Sequence, residues 1–560
     1  MQIVLEHITV FSQITFLCLF VSLSGFIFKK LLLNCNNLSN FYEDGLFGFI
    51  LIGFLSLFVN FFLPLNLIVN NILFIIIIII GFKFGFFKRN KFKLLKYTFL
   101  TSFFSYLLII YSNVNTPDAL LYHLPFSKIV NEHKIIIGLS NLHSRFGHIS
   151  IFQYISSFFN NSFFHKNGVL FPISLITSFF LFYSYKLFKE KFKNDDTRIK
   201  SYFIFLTLVF SLYSFNRYSG YGNDAQVHIY YFLTTFYFLD FILFNRSILI
   251  FKKLSLVCLF TFLIKPFYLL ALVIVLISFL MIKNKLTIIK SKFFLFSFFL
   301  IFFWLLKNFL ISGCLIYPIK HTCFNNLAWF GTSTENESIN GEAWSKAWPD
   351  RENNNLSQTK YIKNFNWVST WSKNHLLIII EKITPIIAFI FINILFLYFA
   401  KCLKKNKPLE YENAFIYILI INFLFLVLWF IKFPLYRFGY SIIFICLISL
   451  SYFIFIRYIN FRKLYKFKHF FIIFLIIFTT AVIGKNINRI FINLSKPIIP
   501  SIFDNINEKS LKVFNNEGTF THYTKANGGL CGYSRSPCTH LAISDLAIKK
   551  IFGYTIYYRY

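Results

Sequence analysis

Apolar residues in this chain come in long unbroken runs, not at the alternate positions of a half-buried strand or the three-and-four spacing of a surface helix. Fourteen such runs lie near residues 10–28, 46–64, 66–87, 97–112, 168–187, 201–216, 226–245, 250–264, 266–283, 293–311, 377–400, 413–431, 440–456 and 469–485. Most are long enough for a helix, rising about 1.5 Å per residue, to cross about 30 Å of hydrocarbon. The run 250–264, just before Lys265-Pro266, is the shortest. The pattern predicts an all-α polytopic membrane protein of about fourteen transmembrane helices.

Polar residues between the runs fix the expected orientation. Every second loop is basic: Lys29-Lys30, Lys88 to Lys96, Lys189 to Lys200, Lys252-Lys253, Lys283 to Lys292, Lys401 to Lys407 and Arg457 to Lys468. Lys and Arg accumulate on the cytoplasmic side of membrane proteins, so these loops are expected there. The intervening loops 113–167, 217–225, 312–376 and 432–439, with the tail 486–560, are then extracytoplasmic. The expected organisation is a transmembrane domain over 1–485, with large outer loops 113–167 and 312–376, and a small extracytoplasmic C-terminal region over 486–560. Within the first outer loop, Ile149, Phe152, Ile155 and Phe159 recur at helical spacing and predict an amphipathic segment lying on the membrane surface.

Composition sharpens this picture. Hydrophobic residues make up 57% of the 560, above the roughly 45–50% of soluble domains, and mean hydropathy is +0.63. The 83 phenylalanines, with many Ile, Lys and Asn, are residues of AT-rich codons, as an AT-rich genome would favour, so aromatic stripes are given no function. A net charge of +34 would suggest nucleic acid if it covered one face of a soluble domain. Here it is split into short clusters between apolar runs, so the partner it implies is the anionic lipid of the cytoplasmic leaflet, and no nucleic acid is expected. The first run follows an uncharged start with Glu6 and no small-residue cleavage pattern, and reads as a retained helix. No heptads, Walker loop or nucleotide-binding glycine fingerprint occur, which argues against ATP hydrolysis. Of nine cysteines, four fall on the oxidising side at close spacing, and we expect Cys314 to pair with Cys323 and Cys531 with Cys538. Each bridge would close a short loop, worth about 2–3 kcal/mol; four free thiols are the alternative. Cys18, Cys258 and Cys446 lie within apolar runs and read as small core residues.

The strongest local signal is Asn115-Thr116-Pro117-Asp118-Ala119-Leu120-Leu121-Tyr122-His123-Leu124-Pro125, directly after the fourth run. Thr116 can cap a helix whose first turn holds Pro117 and Asp118, and Asp118 would then only complement the helix N-terminus. Yet an acid, a tyrosine one turn on and a histidine are gathered at the outer membrane surface, where a carboxylate costs desolvation unless it is used. His123, His133, His143 and His148 have no helical metal-ligand spacing. Asp118 with His123 is the one pair left open for a divalent metal, and no cofactor is otherwise called for. Trp344, Trp348, Trp367 and Trp371 could stack on a sugar or anchor at the membrane interface.

This segment resembles the GT-C superfamily of membrane glycosyltransferases, within it bacterial proteins with a D-[AS]-L-x-Y-H-L core. Later segments follow in the same order: Tyr221-Gly222-Asn223-Asp224 is similar to K-N-D, Ile264-Lys265-Pro266 to T-K-x, and Trp304-Leu305-Leu306-Lys307-Asn308 with Tyr317-Pro318 to W-x-x-R-N…Y-P. Gly222 and Lys307 depart from the Lys and Arg common at those places. The resemblance implies transfer of a sugar from a polyprenyl-phosphate carrier to a lipid or glycan acceptor at the outer face of a bacterial inner membrane. Asp118 would be the general base, and Tyr122, His123, Asn223, Asp224, Lys265 and Arg437 would bind substrate. Chemistry agrees for two of these residues. A carboxylate in a partly dehydrated site suits proton abstraction, and the planar fork of Arg437 suits a phosphate. Bland readings stand beside them: Arg437 snorkelling to headgroups, Asn223 and Asp224 capping a helix, and Lys265 paired with Asp224. An O-antigen ligase or polymerase also acts on lipid-linked glycans. A non-enzymatic transporter or flippase would place its charges near the bilayer midplane, and an assembly protein would need no single outer residue.

Overall fold

Asparagine starts several of the helices. The side chain of Asn40 accepts from Tyr42 N, that of Asn66 from Val69 N at 2.9 Å and that of Asn90 from Lys93 N at 3.1 Å, each satisfying an amide that a first turn leaves unpaired. The structure, a computed structural model, describes residues 2–34, 40–112, 117–194, 197–218, 220–243, 246–331, 334–352, 355–400, 412–455, 461–502, 511–516, 519–525, 530–541, 543 and 545–559. Thr116 and the basic segment 401–407 lie outside them.

The helices run α1 Gln2–Leu33, α2 Phe41–Asn60, α3 Leu67–Lys83, α4 Lys91–Ile109, α5 Leu124–Glu132, α6 Ile151–Phe158, α7 Phe171–Lys191 and α8 Arg198–Ser214. They continue with α9 Asp224–Leu243, α10 Ile248–Ile264, α11 Ala271–Leu280, α12 Lys285–Ile289, α13 Lys292–Ser312 and α14 Thr334–Ser345. The last are α15 Gln358–Ile362, α16 Val368–Trp371, α17 Leu377–Phe399, α18 Glu412–Lys432, α19 Tyr436–Phe455, α20 Phe461–Leu464 and α21 Lys468–Ile492.

Each of the fourteen apolar runs overlaps a described helix, the ninth α11 and the short 3-10 turn before it. Among the described residues, eight helices are long and apolar enough to cross a membrane: those built on α1, α2, α7, α13, α17, α18, α19 and α21. Leu67–Lys83 and Pro266–Leu280 are shorter apolar helices. Helices α8 and α9 are largely enclosed, and there polar residues such as Thr207, Ser211, His228, Thr234 and Asp240 are buried against protein. By contrast α13, α17 and α21 leave Leu295, Phe298, Phe391, Ile392, Ile476 and Ile477 exposed along their flanks, which is apolar surface suited to lipid. Helices α1 and α2 come so close that a Cβ on Gly48 would stand 2.0 Å from Val21 O, so only glycine fits.

One end of the bundle is tied by buried ion pairs. Lys29 of α1 meets Glu43 and Asp44 of α2, Lys253 of α10 reaches Glu43 at 2.6 Å, Arg89 reaches Asp44 at 3.0 Å, and Tyr237 of α9 donates to Glu43 at 2.7 Å. Lys200 pairs with Asp240 beside them.

The opposite end carries the loops over 113–167 and 312–376 and the tail. The expected membrane-surface segment is corrected here: Ile149, Phe152, Ile155 and Phe159 are all buried, and α6 packs against α2 and α5 inside the protein. Helical spacing shows an apolar face, not what covers it. The tail adds strands that the all-α expectation did not contain. β1 Leu511–Asn516, β2 Thr519–Lys525 and β3 Cys538–Thr539 form one sheet, β1–β2 antiparallel and β2–β3 parallel. β4 Leu546–Ile551 and β5 Tyr554–Arg559 form a separate hairpin. Helix α21 runs to Ile492, past the expected boundary at 485. The tail then docks on the segment between α4 and α7: Gly532 N donates to Leu120 O at 2.9 Å, Ser536 Oγ to Glu132 at 2.6 Å, and Tyr557 N to Ile137 O at 2.8 Å. Cys314 is bonded to Cys323 and Cys531 to Cys538, while Cys18 and Cys258 are buried.

Candidate functional site

Pro117 and Asp118 open a helical turn that widens at once into a π-helix over Ala119–His123 before narrowing into α5. Such wide turns are uncommon and concentrate at functional sites. Asp118 Oδ1 lies 3.6 Å from Arg145 Nη1, and its Oδ2 lies 3.5 Å from Arg437 Nη1, an arginine more than three hundred residues away. The Asp118 side chain is 31% exposed and that of Arg437 56%. Long, open ion pairs of this kind add little stability. They leave the carboxylate reachable between two guanidinium groups.

Arg145 is itself held from behind. Its Nε lies 3.5 Å from Glu337 of α14 and its guanidinium over the Tyr122 ring, while Glu337 also accepts from Ser144 Oγ at 2.7 Å and faces His148 Nε2 at 3.6 Å. Burial alone would raise the Glu337 carboxyl, but the His148 hydrogen bond and charge, with Ser144 and Arg145, outweigh it and hold it down to about 2. Glu337 is therefore an anion at neutral pH, and it fixes Arg145 at the edge of Asp118.

His123 is buried, and desolvation lowers its imidazole to about 4, so it is neutral. The Gln153 Nε2 amide donates both to His123 Nδ1 at 2.8 Å and to Asn223 Oδ1 at 2.9 Å, which assigns the imidazole proton to Nε2. A Cβ on Gly222 would come to 3.6 Å from that Nε2, an ordinary contact. Lys265, in the extended break between α10 and the turn that follows, pairs with Asp224 at 2.6 Å and sits 3.6 Å above the Phe438 ring. Arg437 follows the Pro434-Leu435 turn, which is pinned by Trp371 Nε1 to Pro434 O and Trp429 Nε1 to Leu435 O, each at 2.8 Å. His228 Nε2 lies 2.9 Å from the Arg437 carbonyl.

Asp118, Tyr122, His123, Asn223, Asp224, Lys265 and Arg437 are thus brought to one end of the bundle, linked through Arg145, Gln153 and Phe438. Arg145, Glu337, Gln153 and His228 were not singled out from the sequence. Arg145 and Gln153, polar residues in the same loop as the motif, carried a signal that could have found them. Lys307 is not part of this cluster: it is buried, donates to Ile149 O at 2.8 Å and holds the entry to α6. Of the four tryptophans left open between sugar stacking and interface anchoring, two take neither role. Trp367 and Trp371 are buried in a small core with Tyr361, Ile379, Trp429 and Ile443, while Trp344 is exposed. Among the described residues no group of three His, Cys, Asp or Glu is arranged to hold a metal ion. The four histidines are dispersed: His133 contacts Ser536 O, His143 lies beside His540, and His148 faces Glu337.

Fold and site together define a mostly helical protein with a set of membrane-length apolar helices and a partly open carboxylate set between arginines at one end of the bundle. The chain belongs to the family described as a domain of unknown function, DUF8201, whose model matches residues 8–444. That span contains every member of the charged cluster. No curated protein and no solved structure matches the chain significantly.

Proposed function

We propose that the protein is a fourteen-span glycosyltransferase of GT-C type in the bacterial inner membrane. It takes a sugar from a polyprenyl-phosphate carrier and gives it to a lipid or glycan acceptor at the outer face. The observation that carries this reading is Asp118, a reachable carboxylate between Arg145 and Arg437. In the reaction, an acceptor hydroxyl oxygen bonds to the anomeric carbon and its proton passes to the Asp118 carboxylate. The bond from that carbon to the carrier phosphate breaks, and the electron pair leaves with the polyprenyl phosphate. Charge grows on the departing phosphate, so fixed cations there lower the barrier. Arg437 is the most exposed cation of the cluster and makes only a long contact to Asp118, so its fork is available for that phosphate. Lys265, held by Asp224 and Phe438, adds positive charge beside it.

Arg437→Lys keeps the charge but loses the two-pronged contact, and transfer in nanodiscs supplied with host lipid extract should fall by about 10²-fold. Glu335→Gln is the control. Glu335 pairs with Lys320 where both are well exposed, and its loss should leave the rate within twofold, as exposed pairs contribute about 0–1 kcal/mol. Equal rates for both variants would remove Arg437 from the mechanism. A ligase or polymerase of lipid-linked glycans would use the same cluster and differs in moving a whole glycan, which the mass of the product distinguishes. A flippase is less well supported, because the charges gather at helix ends instead of midway along the helices.

A further inference from the structure

The β4–β5 hairpin ends in a two-residue turn: Ile551 pairs with Tyr554, and Phe552 and Gly553 both have positive φ, 49° and 74°. Such a turn suits Asn-Gly, because most side chains are strained in the left-handed region. Here the first place is taken by phenylalanine, and the residue is 95% exposed, so little packing offsets the strain. A bulky aromatic held in an unfavourable backbone conformation and almost fully exposed among the described residues implies a use outside the chain.

The surroundings say what lies outside. Tyr554, at the tip, donates from its hydroxyl to Phe61 O at 2.9 Å, where α2 ends. The tip therefore sits at the α2–α3 corner, whose Phe62, Leu63, Leu67 and Ile68 are large, apolar and exposed. In the membrane reading above, this corner is the outer boundary of the hydrocarbon. Lys549 and Lys550 are exposed on β4, and Lys134 lies 3.7 Å over the Tyr554 ring. Among the described residues none of these three lysines pairs with a carboxylate. An aromatic tip with flanking lysines at the level of the headgroups matches the interface of an anionic membrane, where amphipathic rings and long basic side chains settle.

We infer that the β4–β5 hairpin is a membrane-surface anchor: Phe552 enters the outer leaflet beside the α2–α3 corner, and Lys549, Lys550 and Lys134 face anionic phospholipid headgroups. The anchor holds the tail against the leaflet in which the lipid-linked substrate lies. It rests on the membrane reading, not on the chemistry at Asp118, and its test reads no activity.

The full-length protein would carry trifluoromethyl-phenylalanine at position 552, a near-isosteric change at an exposed site, in nanodiscs of phosphatidylethanolamine with phosphatidylglycerol. Doxyl-labelled lipid should broaden the fluorine resonance several-fold more than an aqueous gadolinium chelate. Replacing phosphatidylglycerol with phosphatidylcholine, or introducing Lys549→Gln with Lys550→Gln, should shift the balance toward the chelate. Stronger broadening by the chelate in the anionic discs would overturn the anchor. So would protection from both probes, which would mean that another protein surface covers the tip. Lipid contact that ignored headgroup charge and the lysine changes would overturn the assignment of the lysines.

Discussion

Asp118→Asn should lower sugar transfer by about 10²–10⁴-fold while leaving the protein inserted and as abundant as the parent. The amide has the same size and can still lie between Arg145 and Arg437, but it cannot take a proton from the acceptor hydroxyl. The open contacts at 3.5 and 3.6 Å explain why folding should tolerate the change, since little stability is invested in them. The measurement is the initial rate of product formation in nanodiscs, with thermal unfolding of the same sample as the check on folding. A near-parental rate would return Asp118 to the role of complementing a helix N-terminus, and the mechanism would lose its base.

Glu43→Gln should have the largest effect on stability, at the other end of the bundle. Glu43 is buried and is shared by Lys29, Lys253 and the Tyr237 hydroxyl, which come from three different helices. Removing its charge leaves Lys253 without its carboxylate and leaves Asp44 alone to face Lys29 and Arg89. Breaking a buried ion pair from one side typically costs about 3–5 kcal/mol. The thermal midpoint in detergent should fall sharply, with abundance falling in parallel. Lys29→Met should be milder, because Glu43 keeps Lys253 and Asp44 keeps Arg89, so two balanced pairs remain. Lys29→Met as harmful as Glu43→Gln would mean that packing of the lysine stem, not charge balance, matters there.

The helices were legible because each depends on a local property, the unbroken apolar run, which needs no knowledge of its neighbours. Contacts between distant segments were not. Ser144 and Arg145 meet Glu337 across almost two hundred residues, and nothing in the composition of either loop announces the other. The segment from Ile149 to Phe159 shows the same limit, since its spacing gave an apolar face that protein covers where a membrane surface was expected. Trp367 and Trp371 were open to two readings and took a third, as core residues, with Trp371 pinning the turn that presents Arg437. The hairpin at 546–559 was hidden because Phe552 stands where a turn usually announces itself with asparagine. Lys265 with Asp224 was the exception, a pair named from two isolated charges near helix ends and found at 2.6 Å.

The central claim, sugar transfer by this cluster, is tested most directly by mass spectrometry of envelope glycans and lipids from a deletion strain, with and without plasmid-borne copies. Deletion should make one species lighter by a single sugar and leave the matching polyprenyl-phosphate sugar to accumulate. The parental chain should restore both, and Asp118→Asn, expressed at equal level, should restore neither. An unchanged glycan profile on deletion, or full restoration by Asp118→Asn, would contradict the account.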